Sequence, residues 1–166
     1  MGETGGAGRA RGTAADGPTL ERARGFLAAV PYARALGMRL DAVGVGRAMI
    51  SMGYDARLVG DPGSGVIHGG AVSALMDTSC GTAVLSLPEA QGTATIDLRI
   101  DYMRPARPGR RITARASVFH VTRSVVFLRA TATDDAEEGA EEVEDVPGGV
   151  PVATATGTFT IERAAP

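Results

Sequence analysis

Residues 65 to 83 read GVIHGGAVSALMDTSCGTA, a glycine-marked loop that leads into an apolar helix. Because Pro88 cannot continue a helix, we expect this helix to run from about Gly69 to Leu87. Its length of roughly five turns exceeds the globular mean of about 11 to 12 residues, which predicts a central position in the fold. One carboxylate, Asp77, lies about two turns from the helix start and is the feature that needs an explanation.

Strand patterns flank this helix on both sides. The clearest covers residues 94–103, where apolar side chains alternate with mostly polar ones. Alternation and turn residues predict five further strands, at 36–43, 47–54, 111–121, 125–133 and 150–161, and a first helix at 18–30. Residues 58–65 are expected to be a loop without strand pairing, because Gly and Pro recur there. Hairpin connections imply an antiparallel sheet that the long helix covers, an α+β fold of about six strands.

The composition excludes several classes of protein function. The 166 residues suit a single domain, and a net charge of −2 gives no electrostatic footprint for nucleic acid or for an anionic membrane. Cys80 is the single cysteine of the sequence, which excludes an internal disulfide and a cysteine-rich metal site. The sequence has neither an export signal nor a membrane-spanning segment, so the expected location is cytoplasmic.

Two stretches differ in composition from the rest of the chain. Residues 1–17 are mostly Gly, Ala, Thr and Arg, which predicts a disordered tail ahead of a single domain at 18–163. Residues 134–149 carry eight acidic side chains and no basic one, which predicts a solvated acidic loop inserted into that domain.

The helix start and Asp77 are the candidate chemical groups. Backbone amides at a helix start that begins Gly69-Gly70 can bind a developing oxyanion, although two glycines also suit a plain tight turn. A carboxylate on an apolar helix is either exposed, partnered or functional, because burying the charge alone is costly. The small and apolar neighbours of Asp77 disfavour an exposed position.

The remaining reactive side chains give weaker signals. Cys80 has no His at helical spacing, and a free cysteine is commonly an inert core residue. His68 and His120 are the two histidines, and they are too far apart in sequence to form a ligand pair typical of a metal site. We therefore predict no metal and no cofactor.

Helix geometry relates the two candidate groups. Gly69 and Asp77 are separated by about 12 Å along the axis, so they cannot both touch one carbonyl carbon. If they cooperate, two copies of the helix must lie antiparallel across a twofold axis, with Asp77 of one copy facing Gly69 of the other. Cooperation therefore requires a homodimer.

Together these residues resemble a known family. His68-Gly69-Gly70 with Leu75, Asp77, Gly81 and Ala83 is similar to the signature of PaaI-like acyl-CoA thioesterases of the hotdog fold, close to the 4-hydroxybenzoyl-CoA thioesterase type. Residues 95–98 (TIDL) and 101–106 (DYMRPA) extend the likeness, which covers roughly 35–133 and 150–162. The resemblance implies a long helix wrapped by an antiparallel sheet, in dimers or dimers of dimers that share a continuous sheet.

The resemblance also implies residue roles. The Gly69 amide would polarise the thioester carbonyl, Asp77 of the facing chain would act as base or nucleophile, and Thr95 would position the water. His68, a further catalytic residue by this resemblance, would fix the loop and contact the thioester, and Gly70 would contribute to the substrate-binding helix start. CoA contacts are implied for the turn that contains Arg123 and Ser124. Charge alone adds Arg104 and Arg107 as phosphate partners.

One departure keeps alternatives open. Family members commonly carry Asn six residues before the His, where this chain has Pro62, which offers no side-chain donor. The main hypothesis is an acyl-CoA thioesterase without metal. A non-catalytic acyl-CoA binding module is the first alternative, and a hotdog hydratase or dehydratase, which would need a suitable His and acid, is the second.

Overall fold

An antiparallel sheet packs against one long helix in the computed structural model, which describes residues 16–134 and 150–163. The helices are α1 (Gly17–Ala29), α2 (Pro31–Ala35) and α3 (Gly69–Leu85). The strands are β1 (Met38–Gly44), β2 (Arg47–Met52), β3 (Val59–Asp61), β4 (Val66–Ile67), β5 (Ala90–Gly92), β6 (Thr95–Tyr102), β7 (Ile112–Val121), β8 (Val125–Asp134), β9 (Ala153–Thr160) and β10 (Glu162–Arg163). The main sheet has six strands in the order β1-β2-β7-β8-β9-β6, all antiparallel. This confirms the predicted α+β architecture.

The inner face of α3 forms the centre of the core. Leu75, Met76, Cys80, Ala83 and Val84 are fully buried on this helix, against the inward side chains of β2, β7 and β8. Burying a side chain such as Leu or Met stabilises a fold by about 1.5–3 kcal/mol relative to leaving it exposed. The predicted central helix is therefore confirmed, although its last residue is Leu85 and not Leu87.

The chain start departs from the predicted boundary. Asp16 caps α1 by accepting a hydrogen bond from the Thr19 amide at 2.8 Å, and the helix already begins at Gly17. Residues 16 and 17 were thus wrongly assigned to the tail, and residues 1–15 lie outside the described part. Pro31 ends α1 as predicted but also begins α2, because proline is well tolerated at a first helical position.

The predicted loop at 58–65 was wrong in part. β3 pairs with β4, and Asp61 closes the turn between them by accepting hydrogen bonds from the backbone amides of Gly63 and Gly65. A second small ladder joins β5 to β10. Strands of two or three residues carry too little alternation to stand out from a glycine-rich background, which is why the sequence did not reveal them.

Strand β6 lies at one end of the main sheet and pairs with β9 alone among the described strands. Its outer edge is therefore open, and Ile96 and Tyr102 on it are about half exposed (56% and 50%). Beside it, the second face of α3 is half-buried at Ser73, Ala74, Asp77 and Thr78. An open edge of eight residues next to a polar helix face is a surface suited to a second chain.

The first residue of the predicted acidic loop, Asp134, belongs to a strand. Asp134 is the last residue of β8, and its side chain is fully buried rather than solvated. It accepts hydrogen bonds from Arg104 Nη2 at 2.5 Å and from the Arg107 backbone amide at 2.8 Å. Residues 135–149 lie outside the described part of the chain.

Candidate active site

His68 organises the start of α3. Its backbone amide donates to the Leu58 carbonyl at 2.8 Å, and its Nδ1 accepts the Gly70 amide hydrogen at 2.9 Å. A neutral imidazole in this arrangement carries its proton on Nε2. A Cβ at position 60 would lie 2.8 Å from the His68 Cα, and one at position 70 would lie 2.9 Å from Nδ1. Both glycines are therefore needed for this ring to sit against the helix start.

Gly70 does not take the predicted substrate-binding role through its amide, because His68 already occupies that donor. Gly69 differs. As the first helical residue its N–H lacks an intrahelical acceptor, and within residues 16–134 and 150–163 we find no other acceptor for it. The structure therefore leaves one free amide at the positive end of a 17-residue helix.

Tyr102 holds the Gly69 peptide in place, and sequence reasoning did not identify it. The tyrosine hydroxyl donates to the Gly69 carbonyl at 2.7 Å and lies 2.6 Å from Ser73 Oγ, which also donates to that carbonyl at 3.1 Å. A Cβ on Gly69 would lie 3.3 Å from the tyrosine ring. The available signal was the position of Tyr102 at the end of the clearest alternating strand, close to the Gly-Gly helix start only in the folded chain.

Asp77 is partnered rather than solvated. It is half-buried, and Thr95 Oγ1 donates to its Oδ1 at 2.7 Å. In the described chain Oδ2 has no hydrogen-bond partner, so one carboxylate oxygen is fixed and the other is available. The predicted pair of Asp77 and Thr95 is thus brought together by the first residue of β6 and the third turn of α3.

Cys80, one turn beyond Asp77, is a core residue. Its side chain is fully buried, and burial followed by the charge of Asp77 raises the pKa of the thiol to about 12. A thiol with such a pKa remains protonated at neutral pH and is a poor nucleophile. This agrees with the prediction that Cys80 is inert.

The two candidate groups open into different cavities of the same chain. Asp77 and Thr95 line a cavity of about 300 Å³ between α1, α3 and the start of β6. Gly69 and Tyr102 line another of about 350 Å³, which shares no lining residue with the first. His68 and Gly70 line a third, of about 410 Å³. Within one protomer the proposed oxyanion donor and the carboxylate therefore do not face each other.

The turn predicted to contact CoA is held in place by the C-terminal end of the described chain. Arg163 donates to the Thr122 carbonyl at 3.2 Å and also to that of Arg123, while Ile161 donates to the Ser124 carbonyl at 3.1 Å. Residues at and just before β10 thus hold the turn that contains Arg123 and Ser124, and this turn lines none of the three cavities.

Arg104 and Arg107 were predicted as phosphate partners from their charge alone. Both instead contact the buried carboxylate of Asp134. Burial raises the pKa of Asp134, but hydrogen bonds from Arg104 and Arg107 outweigh it and hold that pKa well below its usual range. Arg104 also lines the cavity that contains Gly69, so a phosphate role for these arginines stays a prediction.

A metal centre is not formed by the residues that the structure describes, since no three His, Cys, Asp or Glu side chains cluster there. His120 packs its ring against Phe127 with centroids 5.7 Å apart, away from His68. Of the helices at 16–134, none is long and apolar enough to cross a membrane.

Comparison with known proteins shows which protein family the chain resembles. Residues 64–140 match the family model described as Thioesterase superfamily. A candidate esterase of Halobacterium salinarum, VNG_1336C, is 33% identical over 132 residues, which cover 77% of this chain and 82% of the relative. The medium/long-chain acyl-CoA thioesterase YigI of Escherichia coli K12 is 30% identical over 118 residues, which cover 63% of this chain and 76% of YigI.

Solved structures agree on the fold. A Pseudomonas aeruginosa protein superposes with a TM-score of 0.71 at 37% identity, covering 87% of this chain and 100% of the other. The PaaI protein of E. coli superposes with a TM-score of 0.72 at 22% identity, covering 87% of this chain and 93% of PaaI, which supports the shared fold. The chain belongs to the thioesterase superfamily, as a PaaI-like member with the hotdog fold. The predicted resemblance, fold and enzyme class are thereby confirmed.

Proposed function

We propose that this chain hydrolyses acyl-CoA thioesters to CoA and a carboxylate, at sites that combine Gly69 of one protomer with Asp77 of its partner. The observation that carries the proposal is that the free Gly69 amide and the Asp77 carboxylate, which Thr95 holds from β6, lie at two positions of one helix and face separate cavities. Family membership supplies the thioester chemistry. The name of YigI supports CoA as the thiol component.

The proposed chemistry follows from the charges at the two groups. The Gly69 N–H donates to the carbonyl oxygen as negative charge develops on it, which the positive end of α3 also favours. Asp77 of the partner protomer either deprotonates the attacking water or attacks the carbonyl carbon itself. In both routes the carbon–sulfur bond breaks, the CoA thiolate takes up a proton, and water supplies the oxygen of the released carboxylate. Thr95 keeps Asp77 Oδ1 in a fixed orientation.

A dimer about a twofold axis satisfies the geometry. Residues 69 and 77 lie symmetrically about Ser73, so an axis beside Ser73 would bring each Gly69 opposite the Asp77 of the partner protomer. Ser73 and Ala74 are small and half-buried, which permits close approach of the two helices. The open edge of β6 would then meet its own copy and extend the sheet across the dimer.

A panel of aliphatic and aromatic acyl-CoA esters tests the function directly. We expect the purified protein to release free thiol from members of the panel, measured with a thiol reagent. An enoyl-CoA included in the panel should keep its double bond, because His68 Nδ1 is engaged with Gly70 and His120 packs on Phe127. Acyl-CoA binding without thiol release from any ester would instead favour the non-catalytic binding module.

Replacing Tyr102 by Phe tests how the Gly69 amide is positioned. The substitution removes the hydroxyl that donates to the Gly69 carbonyl and keeps the ring that packs on Gly69. We expect kcat to fall by about tenfold with KM nearly unchanged, since a loosened donor loses about 1.4 kcal/mol of transition-state stabilisation. Steady-state kinetics of the wild type, Tyr102→Phe and Ser73→Ala would measure this. An unchanged kcat in Tyr102→Phe would assign the hydroxyl to folding alone.

A further inference from the structure

Gly81 occupies the interior of α3, where glycine is an unfavourable residue. In a helix interior glycine costs about 1 kcal/mol relative to alanine. Two ordinary reasons for such a glycine are missing. Gly81 is not among the glycines of the described chain that have a positive φ. A Cβ built on it would meet no atom closer than Thr93 Cγ2 at 3.8 Å and Phe26 Cζ at 3.9 Å, which is ordinary contact. Neither the backbone nor the packing of the described chain requires glycine here.

The space that a side chain at position 81 would take is the cavity beside Asp77. This cavity, of about 300 Å³, is lined by Gly81 together with Asp77 and Thr95. Its other walls come from α1 (Phe26), from Val30 and Tyr32 at the start of α2, from Ala74 and Thr78 of α3, from Thr93 and Ala94 just before β6, and from Phe159 of β9. Asp77 is the single charged side chain of that lining.

Phe26 and Thr93 line the part of the cavity next to Gly81. Gly81 lies four residues after Asp77, about 6 Å further along the helix axis, and Phe26 and Thr93 are the side chains nearest to it. The cavity volume is at the low end of the range of about 300 to 1,000 Å³ found for small-molecule pockets. The space therefore suits a compact apolar group attached to a carbon close to Asp77.

We propose that this cavity receives the acyl group and that Gly81 is retained to keep it open, with Phe26 limiting its length. The proposal rests on the hydrolysis of acyl-CoA proposed above and names its substrate class. That class is uncharged acyl groups of short to medium length or with a single ring. A second carboxylate at the end of the acyl group is excluded, because its charge would be buried in a cavity whose lining offers no cation.

Contact between protomers is another possible reason for glycine on a helix, and burial within the chain argues against it. Gly81 is buried in the isolated protomer, where Phe26 and Thr93 cover it. The half-buried face proposed for the dimer lies at Ser73, Ala74, Asp77 and Thr78. The two explanations make different predictions for the oligomeric state.

Gly81→Ala with Gly25→Ala as matched control tests the proposal. Gly25 is an exposed residue of α1, and a Cβ on it would meet nothing within 4 Å. We expect both variants to raise the melting temperature, since alanine is the better helix former in each case. A straight-chain series from butanoyl-CoA to hexadecanoyl-CoA then compares kcat/KM for the wild type and the two variants.

We expect Gly81→Ala alone to change the profile. Esters near the length limit of the wild type should lose about 10- to 200-fold in kcat/KM, the effect of about one methylene in a filled pocket, while butanoyl-CoA is little affected. Phe26→Leu should extend the profile towards longer chains. The kcat/KM for hexanoyl-CoA should exceed that for adipoyl-CoA, its analogue with a terminal carboxylate, by at least about tenfold.

The outcomes separate this proposal from the one on which it rests. If the wild type hydrolyses no ester, the proposed function fails. If it does, identical length profiles for Gly81→Ala and Gly25→Ala would overturn the acyl pocket, as would equal rates with hexanoyl-CoA and adipoyl-CoA. Loss of the dimer in Gly81→Ala, seen by size-exclusion chromatography with light scattering, would overturn the pocket role in favour of a protomer contact.

Discussion

Asp77→Asn is expected to lower kcat for thioester hydrolysis by about 10²- to 10⁴-fold, the contribution typical of a general base. Asparagine keeps the shape and can still accept the Thr95 hydrogen bond, so the protomer fold and the assembly should be unaffected. Thiol release, together with light scattering and circular dichroism, measures both parts. Asp41→Asn is the matched control, because Asp41 lies on β1 at the opposite end of the sheet and contacts Arg39. Wild-type rates in Asp77→Asn would contradict the proposed mechanism.

Mixing two inactive variants tests whether each site spans two protomers. Gly69→Pro removes the proposed oxyanion donor, and proline is tolerated at a first helical position. The Cβ of a proline at position 69 would also crowd Tyr102. Gly69→Ala is therefore the control, because it adds the same Cβ and keeps the amide N–H. Mixed and re-equilibrated Gly69→Pro and Asp77→Asn chains should recover about a quarter of wild-type activity, since half of the dimers are mixed and each has one intact site. Sites contained within one protomer would recover none.

Asp134→Asn is expected to lower the free energy of unfolding by about 3 kcal/mol, towards the low end for breaking a buried ion pair, because its arginine partners remain partly exposed. The variant leaves Arg104 and Arg107 beside each other without the carboxylate that they share. Urea unfolding at neutral pH measures the loss. The same Asp41→Asn variant is the reference, since an ion pair with the exposed Arg39 contributes no more than about 1 kcal/mol. An equal decrease in the free energy of unfolding in both variants would contradict the prediction that the buried Asp134 ion pairs stabilise the fold more than the exposed pair does.

The pH dependence of stability has a defined sign. The pKa of Asp134 is lower in the folded chain than in the unfolded chain, so its contribution is complete above the unfolded value of about 3.9. As the pH falls below that value, the unfolded state binds a proton first and stability is lost. Wild-type unfolding free energies should therefore drop between about pH 5 and pH 2, and the drop should be smaller in Asp134→Asn.

The sequence was sufficient for the main elements and for singling out Asp77 as a candidate site residue. Asp77 stood out because a single carboxylate interrupted an apolar helix, and its neighbour Thr95 followed from the family resemblance. Tyr102 was missed because its contact with Gly69 joins positions 33 residues apart. The contact of Arg104 and Arg107 with Asp134 was missed for a similar reason, since charge in a sequence does not reveal a buried partner that the fold supplies.

The contacts of Arg104 bear on whether the chain tolerates insertions between Asp134 and Val150. Its guanidinium donates to the Asp134 carboxylate and, at 2.8 Å, to the Val150 carbonyl, so one side chain ties together the two points between which residues 135–149 run. Closing a connection between two anchored points costs only about 0.6 kcal/mol more for each doubling of its length. The sheet should therefore depend little on the number of residues that connect these two points. A tag or a second domain inserted there is expected to have little effect on folding.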